Sequence, residues 1–232
     1  PPALAISATV IVASLLAMAA GANPFAVLGE ILKGAAGSQF ALLETLNRAT
    51  PLIFTGLAVA VAFRAKLWNI GAEAQLYAGA LVTVVLGTGA LGWPSAALIP
   101  TLIIASLLAG ALLLLVPALL KVRLGVDEVV TTLLLNFIFL LFVSMLLEGP
   151  LKDPMGMGWP KSPRLIEEAR LPRIIEGLRL HWGFGIALIA AVLVWVIQAR
   201  TTLGYEMRAV GLSRDAARFA GIPVGLVLIK TA

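Results

Sequence analysis

Five polar side chains stand inside or at the mouth of apolar runs. Asn69, Glu73 and Gln75 fall in Leu67-Trp-Asn-Ile-Gly-Ala-Glu-Ala-Gln75, and Thr132 and Asn136 in Leu124-Gly-Val-Asp-Glu-Val-Val-Thr-Thr-Leu-Leu-Leu-Asn136. On a helix Asn69, Glu73 and Leu76 or Tyr77 share a face, as do Thr132 and Asn136, with Glu128 one turn further back. A charge at membrane depth costs about 2.5–3.5 kcal/mol on insertion scales, so such groups usually turn toward protein or a water-filled path. Two readings stay open for each set. Glu73 either caps or snorkels at an interface beside Arg64 and Lys66, or it kinks the helix or lines a path, with Gly71 permitting a break. The threonines suit hydrogen bonding between helices, while Asn136, two turns into its run, suits a pore-facing role.

A second group is Glu206, Arg208, Gly211, Arg214, Asp215, Ala217 and Arg218, within Thr202–Ile222. Ser213 is a good N-cap, Asp215 falls in the first turn, and Gly221 with Pro223 behind it makes a stop. That pattern predicts a helix of about two turns over 213–220, in an otherwise charged loop spanning 200–222. Covalent chemistry has little to work with. The chain has no cysteine, one histidine (His181) and no paired acids deep in an apolar run. Neither a thiolate or histidine metal site nor a catalytic residue is expected. No Gly-x-x-x-x-Gly-Lys-Ser/Thr loop occurs, so the chain itself is not expected to bind ATP.

The elements that must hold these residues are membrane helices. Of 232 residues 60% are hydrophobic and 12% charged, with a mean hydropathy of +1.02. That charge is about half the usual share, which excludes a disordered chain and argues against a soluble domain. A bilayer core needs about 20 apolar residues per helix. Such runs lie at about 1–20, 50–63, 70–91, 96–120, 128–147 and 183–199, and 223–232 begins another. The fold class is therefore all-α: one polytopic transmembrane helix bundle of six spans plus the start of a seventh. Residues 21–48 suit an amphipathic interfacial helix. The Gly- and Pro-rich stretch 149–182 is a polar loop with room for a short helix over Arg164–Leu180. With no initial Met or basic residue before the first run, the N-terminus is expected to be trimmed.

The +5 net charge lies between the runs, so it sets topology and is no nucleic-acid footprint. Arg64/Lys66, Lys121/Arg123 and Arg200/Arg208/Arg214/Arg218 fall in alternate loops, which puts all three on the cytoplasmic side. Residues 21–50, 88–94 and 149–182 then lie outside.

Four dispersed segments, in order, resemble one family over nearly the whole chain. Gly204-Tyr-Glu-Met-Arg-Ala-Val-Gly211, Ala216-Ala217 and Gly221-Ile222 resemble the coupling-helix loop of ABC-importer permeases, in the branch serving simple sugars, nucleosides and branched-chain amino acids. Asn69-Ile-Gly-Ala-Glu-Ala-Gln75 resembles that branch's Asn-Ile-Gly-Ala-Glu-Gly-Gln segment, with Ala74 in place of Gly. Asp127-Glu-Val-Val-Thr-Thr-Leu-Leu-Leu-Asn136 and Gly149-Pro-Leu-Lys-Asp-Pro154 are similar to nucleoside permeases.

The resemblance implies a truncated version of a longer permease, acting by alternating access in a bacterial-type inner membrane. It implies ATPase subunits that bind ATP and Mg, a second permease subunit in a homo- or heterodimer, and an extracytoplasmic substrate-binding lipoprotein. The second residue group would couple to the ATPase; the first would line the path, whose amides and hydroxyls suit a neutral small-molecule substrate. The alternatives are a proton-coupled secondary transporter titrating Glu73, which has no need of a capped cytoplasmic helix, and an intramembrane enzyme, which lacks its residues.

The alternation of basic loops makes a checkable prediction. Single cysteines placed at 64, 121 and 208 escape an impermeant maleimide in intact cells, while those at 33 and 161 react. Labelling of position 208 from outside would overturn the orientation.

Overall fold

The computed structural model describes residues 2–89 and 91–232. Pro1 of the first expected span and Ala90 of the third lie outside the described residues. The chain forms two compact units, Pro1–Ala49 with Arg173–Phe184, and Thr50–Pro172 with Gly185–Ala232.

In the first unit, α1 (Pro2–Ala19) ends at Gly21, whose φ of +76° glycine adopts without strain. Helix α2 (Pro24–Ala36) starts with Pro24 in the first turn and the Asn23 side chain accepting the Phe25 N–H. The two helices meet at a 118° bend, a broken span or a re-entrant pair. The expected helix within 21–48 is thus present as α2, followed by the start of α3 (Gln39–Arg64). Thr45 donates to the Ala35 carbonyl at 2.8 Å. Arg48 and Arg179 both reach Glu44 Oε1, at 3.3 and 3.7 Å. Near the other end of the unit, His181 Nδ1 accepts the Gly183 N–H at 3.0 Å. Burial holds the His181 pKa below its ordinary value, which keeps that nitrogen an acceptor.

Helix α3 continues through Pro51, where the sequence suggests that a span begins. Proline removes one backbone donor, but its fixed φ is helical, so it does not by itself end a helix. Among the described residues four helices are long and apolar enough to cross a membrane: α3, α5 (Ser95–Leu124), α6 (Glu128–Glu148) and α7 (Gly183–Arg200). Helix α4 (Ala72–Gly87) is apolar but only 16 residues long. It starts at Ala72, not at Asn69, because residues 67–71 are irregular.

Within the second unit α4 packs on α5 through small and hydroxyl-bearing residues. Ser106 Oγ donates to the Gly79 carbonyl at 3.0 Å and lies 2.9 Å from Thr83 Oγ1. In lipid, where apolar burial gives helices no net drive to associate, such close backbone approach and hydrogen bonding hold them together. At the far end of α4, the Gly87 carbonyl accepts the Ile166 N–H at 3.0 Å. Leu98, Leu102 and Ala169 make a small core there with Leu86, Leu91, Leu165 and Ile166.

Two expectations are corrected. Arg164–Leu180 forms no helix beyond the single 3-10 turn Glu167–Ala169. Pro163 and Pro172 bracket it, and the Arg170 guanidinium takes the Leu165 carbonyl at 2.6 Å, turning the chain back. Residues 200–222 are not a loop with one helix but two helices. Helix α8 (Thr202–Leu212) is capped by Thr201 and α9 (Arg214–Phe219) by Ser213. The last element is α10 (Val224–Thr231).

The N-cap of α9 carries a stability prediction. Ser213 Oγ accepts the Ala216 N–H at 3.2 Å, and losing such a cap costs about 1 kcal/mol. Ser213→Ala therefore raises amide exchange across 214–219 about five-fold, read by mass spectrometry, with α6 unchanged. Equal exchange in both proteins would mean that packing alone holds α9.

Candidate functional site

The site has two parts, joined by the segment between α3 and α4. Helix α3 ends in a Schellman motif: the Leu67 N–H reaches the Ala62 carbonyl and the Lys66 N–H that of Phe63. Lys66 takes the left-handed position at φ +50°, which usually falls to glycine. Beyond it the chain is irregular and alternates sides. Leu67, Asn69 and Gly71 are buried while Lys66, Trp68 and Ile70 are exposed.

The first part lies where this segment meets α6. Thr132 Oγ1 accepts the Ile70 N–H at 3.2 Å and donates to the Glu128 carbonyl at 2.7 Å. Asn136 Nδ2 donates to the Ile70 carbonyl at 2.7 Å, and its Oδ1 accepts the Ala74 N–H at 2.8 Å. Asn69 Oδ1 accepts from the Gly71 N–H and from Gln75 Nε2. Asn69, Thr132 and Asn136 are all buried. These distances are those of well-formed bonds. Asn69, Gln75, Thr132 and Asn136, singled out in two separate segments, meet here at an irregular turn gripped by α6. A side chain at Gly71 would be a tight fit, since a Cβ would lie 3.3 Å from both Thr132 Cβ and Asn69 Oδ1. Glu73 points away from this cluster and is exposed on α4 with Leu76 and Tyr77. Asn69 Nδ2 is buried without a hydrogen-bond partner among the described residues. Such a donor costs about 1–3 kcal/mol.

The second part is the α8–α9 pair. Arg208 reaches back to the Gln198 carbonyl at 2.7 Å, folding α8 against the end of α7. A side chain at Gly204 would collide with the carbonyls of Ile197 and Gln198, and one at Gly211 with that of Arg64. Met207, Val210 and Ala217 are buried with Ala62, Ala65 and Leu67 of α3 and its exit, and with Val224, Val227 and Leu228 of α10. Arg214 Nη2 donates to the Lys66 carbonyl at 3.1 Å. Glu206 is half-buried, while Asp215 and Arg218 are exposed, 3.5 Å apart.

Ala217 does not present an outer surface. It is turned inward as the anchor of α9, which leaves Ala216 outside. The residues missed from sequence are Leu212 and Phe219, 83% and 97% exposed beside Asp215 and Ala216. A six-residue helix has too little length for its pattern to reveal which apolar residue is left out.

Lys66, Lys121 and Arg214 line one open cleft of about 550 Å³ together with Asp127 and Glu128. Residues from all three basic loops therefore gather at one end of this unit, as their alternation predicts. Lys121 Nζ lies 2.6 Å from Glu128 Oε2, and Glu128 is 4% exposed. Pairing is what makes that buried carboxylate tolerable.

The family described as "Branched-chain amino acid transport system / permease component" matches residues 41–232. The chain is 36% identical over 95% of its length to a glucose ABC transporter permease protein of Haloferax volcanii, covering 60% of that protein. It is 36% identical over 92% of its length to a guanosine ABC transporter permease protein of Bacillus subtilis, covering 64%. With a nucleoside ABC transporter permease protein of Lactococcus lactis the identity is 31% over 98% of this chain and 65% of the relative. The chain thus spans a little under two thirds of the length of these relatives. No solved structure matches it significantly. With several helices long and apolar enough to cross a membrane among the described residues, and a family match over most of its length, the chain belongs to the permease components of the branched-chain amino acid transport system family.

Proposed function

We propose that this chain is the membrane-spanning permease part of an ATP-driven importer for nucleosides or simple sugars. The observation that carries the reading is α9, a doubly capped short helix whose inner face is anchored by Ala217. Its outer face offers Asp215, Ala216, Arg218 and Phe219. A rigid peg of this kind suits a soluble ATPase subunit, because force applied to it moves its packed neighbours instead of bending a loop. ATP and Mg belong to that partner; the permease works through rearrangement of packed helices, with no covalent chemistry.

Relatives named for glucose, guanosine and nucleosides support a neutral, sugar-bearing solute. Hydroxyls of such a solute suit a path bearing Asn, Gln and Thr groups. In this reading Glu73 and Tyr77, exposed on α4, face the path or a second permease subunit. Asn69, Gln75, Thr132 and Asn136 shape it from behind. A substrate-binding lipoprotein delivers solute at the 149–182 side, in an inner membrane. The proton-coupled alternative is not favoured, since the relatives are ABC permeases and α9 gives this chain a feature that a proton carrier does not need.

The test uses the complete protein reconstituted with its ATPase. Phe219→Ala and Ala216→Trp alter only the outer face of α9, so membrane insertion is retained. Retention of the ATPase subunit and uptake of guanosine or glucose each fall about ten-fold, equivalent to about 1.4 kcal/mol of docking energy. Parental uptake with the ATPase still bound would reduce α9 to a connector. Uptake of leucine in place of both sugar-bearing solutes would overturn the substrate class.

A further inference from the structure

We infer that the irregular segment 67–71 is the element that carries movement of the α8–α9 pair into α4 and α6. Thr132 and Asn136 are the positioning residues that fasten its far end. The inference rests on the proposed coupling role of α9 and adds the route that follows it.

Both ends of the segment are fixed by contacts that leave little play. At the near end the Arg64 carbonyl abuts Gly211 so closely that no side chain fits there. The Lys66 carbonyl accepts Arg214, and Ala65 and Leu67 are buried among Met207, Val210 and Ala217. A displacement of α8–α9 must therefore displace residues 64–67. At the far end both backbone groups of Ile70 are taken by α6 side chains, the N–H by Thr132 and the carbonyl by Asn136. Asn136 also holds the Ala74 N–H in the first turn of α4. One side chain thus ties the end of the segment to two helices.

Between the two ends the chain is irregular and alternates buried and exposed residues. Only five residues long and held at both ends, it has little slack to absorb a pull. The Asn69 side chain braces it from within, its Oδ1 accepting the Gly71 N–H and Gln75 Nε2. Trp68 stacks edge-on against Phe63 at 4.7 Å, which steadies the exit from α3.

The experiment places spin labels at Leu212→Cys on α8 and Tyr77→Cys on α4, both exposed, in a chain with no native cysteine. The complete protein is measured in lipid nanodiscs by pulsed electron resonance, first without its ATPase and then with it. The variants are Thr132→Val, which keeps the side-chain shape, the pair Thr132→Val/Asn136→Leu, and Thr132→Ser, which restores the hydroxyl.

Without ATPase, the distance distribution widens about two-fold in the double variant, widens less in Thr132→Val, and returns to parental width in Thr132→Ser. Equal widths in all four proteins would overturn the fastening, whatever nucleotide does. With ATPase, adding ATP and vanadate shifts the parental distance. In the double variant that shift, and solute moved per ATP hydrolysed, fall at least three-fold. An equal shift in parent and double variant would overturn the route. A parent that does not respond to nucleotide, with widths as expected, would count against the ATPase reading and leave the fastening supported.

Discussion

Asn136 spends both halves of its amide on the main chain of a single turn, and much of the second unit is arranged around that fact. A primary amide buried in a membrane helix has no water to fall back on, so it must find a donor and an acceptor in fixed places. A regular helix beside it has no free backbone groups to give. The chain supplies them by staying irregular from Leu67 to Gly71, where the Ile70 carbonyl is unclaimed by any helix. The start of α4 supplies the other, because the N–H groups of a helix's first turn lack internal partners. The break before α4 and the polar residue inside α6 are one structure.

That dependence explains which parts of the molecule were legible in the sequence. Long apolar runs and local caps are written in neighbouring residues. The Ser213 cap, the Gly221 stop and the apolar runs of α5, α6 and α7 could be read directly. The two polar segments could be singled out because amides and hydroxyls are costly at depth. Their relation could not be read, since Thr132 and Ile70 are 62 residues apart and Asn136 and Ile70 are 66. A helical wheel through Asn69 and Glu73 puts them on one face, but the helix begins only at Ala72 and the two separate.

The misread stretches share a different cause. At Pro51 and across Arg164–Leu180 the local signal is proline, whose effect depends on what the surroundings offer in return. In α3 the helical φ of Pro51 lets the helix continue across the missing donor. In the 164–180 stretch the Arg170 side chain takes a backbone carbonyl and closes a turn instead. Residues 202–212 looked like a charged loop because Glu206 and Arg208, with Gly204 and Gly211, interrupt their apolar positions. The glycines that let α8 approach its neighbours carry no pattern of their own. Gly211 owes its identity to the Arg64 carbonyl, 147 positions earlier in the chain.

The membrane itself gives the packing its character. Between 11% and 22% of the most apolar stretch of each long helix is buried within the chain, so most apolar side chains face outward. Hydrocarbon surroundings make that exposure cheap, and they also deny the spans the driving force that closes a soluble core. Cohesion then concentrates where backbones come close and polar groups meet: Gly79 and Thr83 with Ser106, Ile70 with Thr132 and Asn136, Gly211 with Arg64. Such contacts are short-ranged and geometrically strict, so helices joined by them move as one body or not at all. Helices meeting only through Leu and Ile side chains have many nearly equal arrangements. A device that must pass a defined displacement from a soluble helix to buried spans needs the strict contacts along its route and the lax ones around it. The second unit is built in that way.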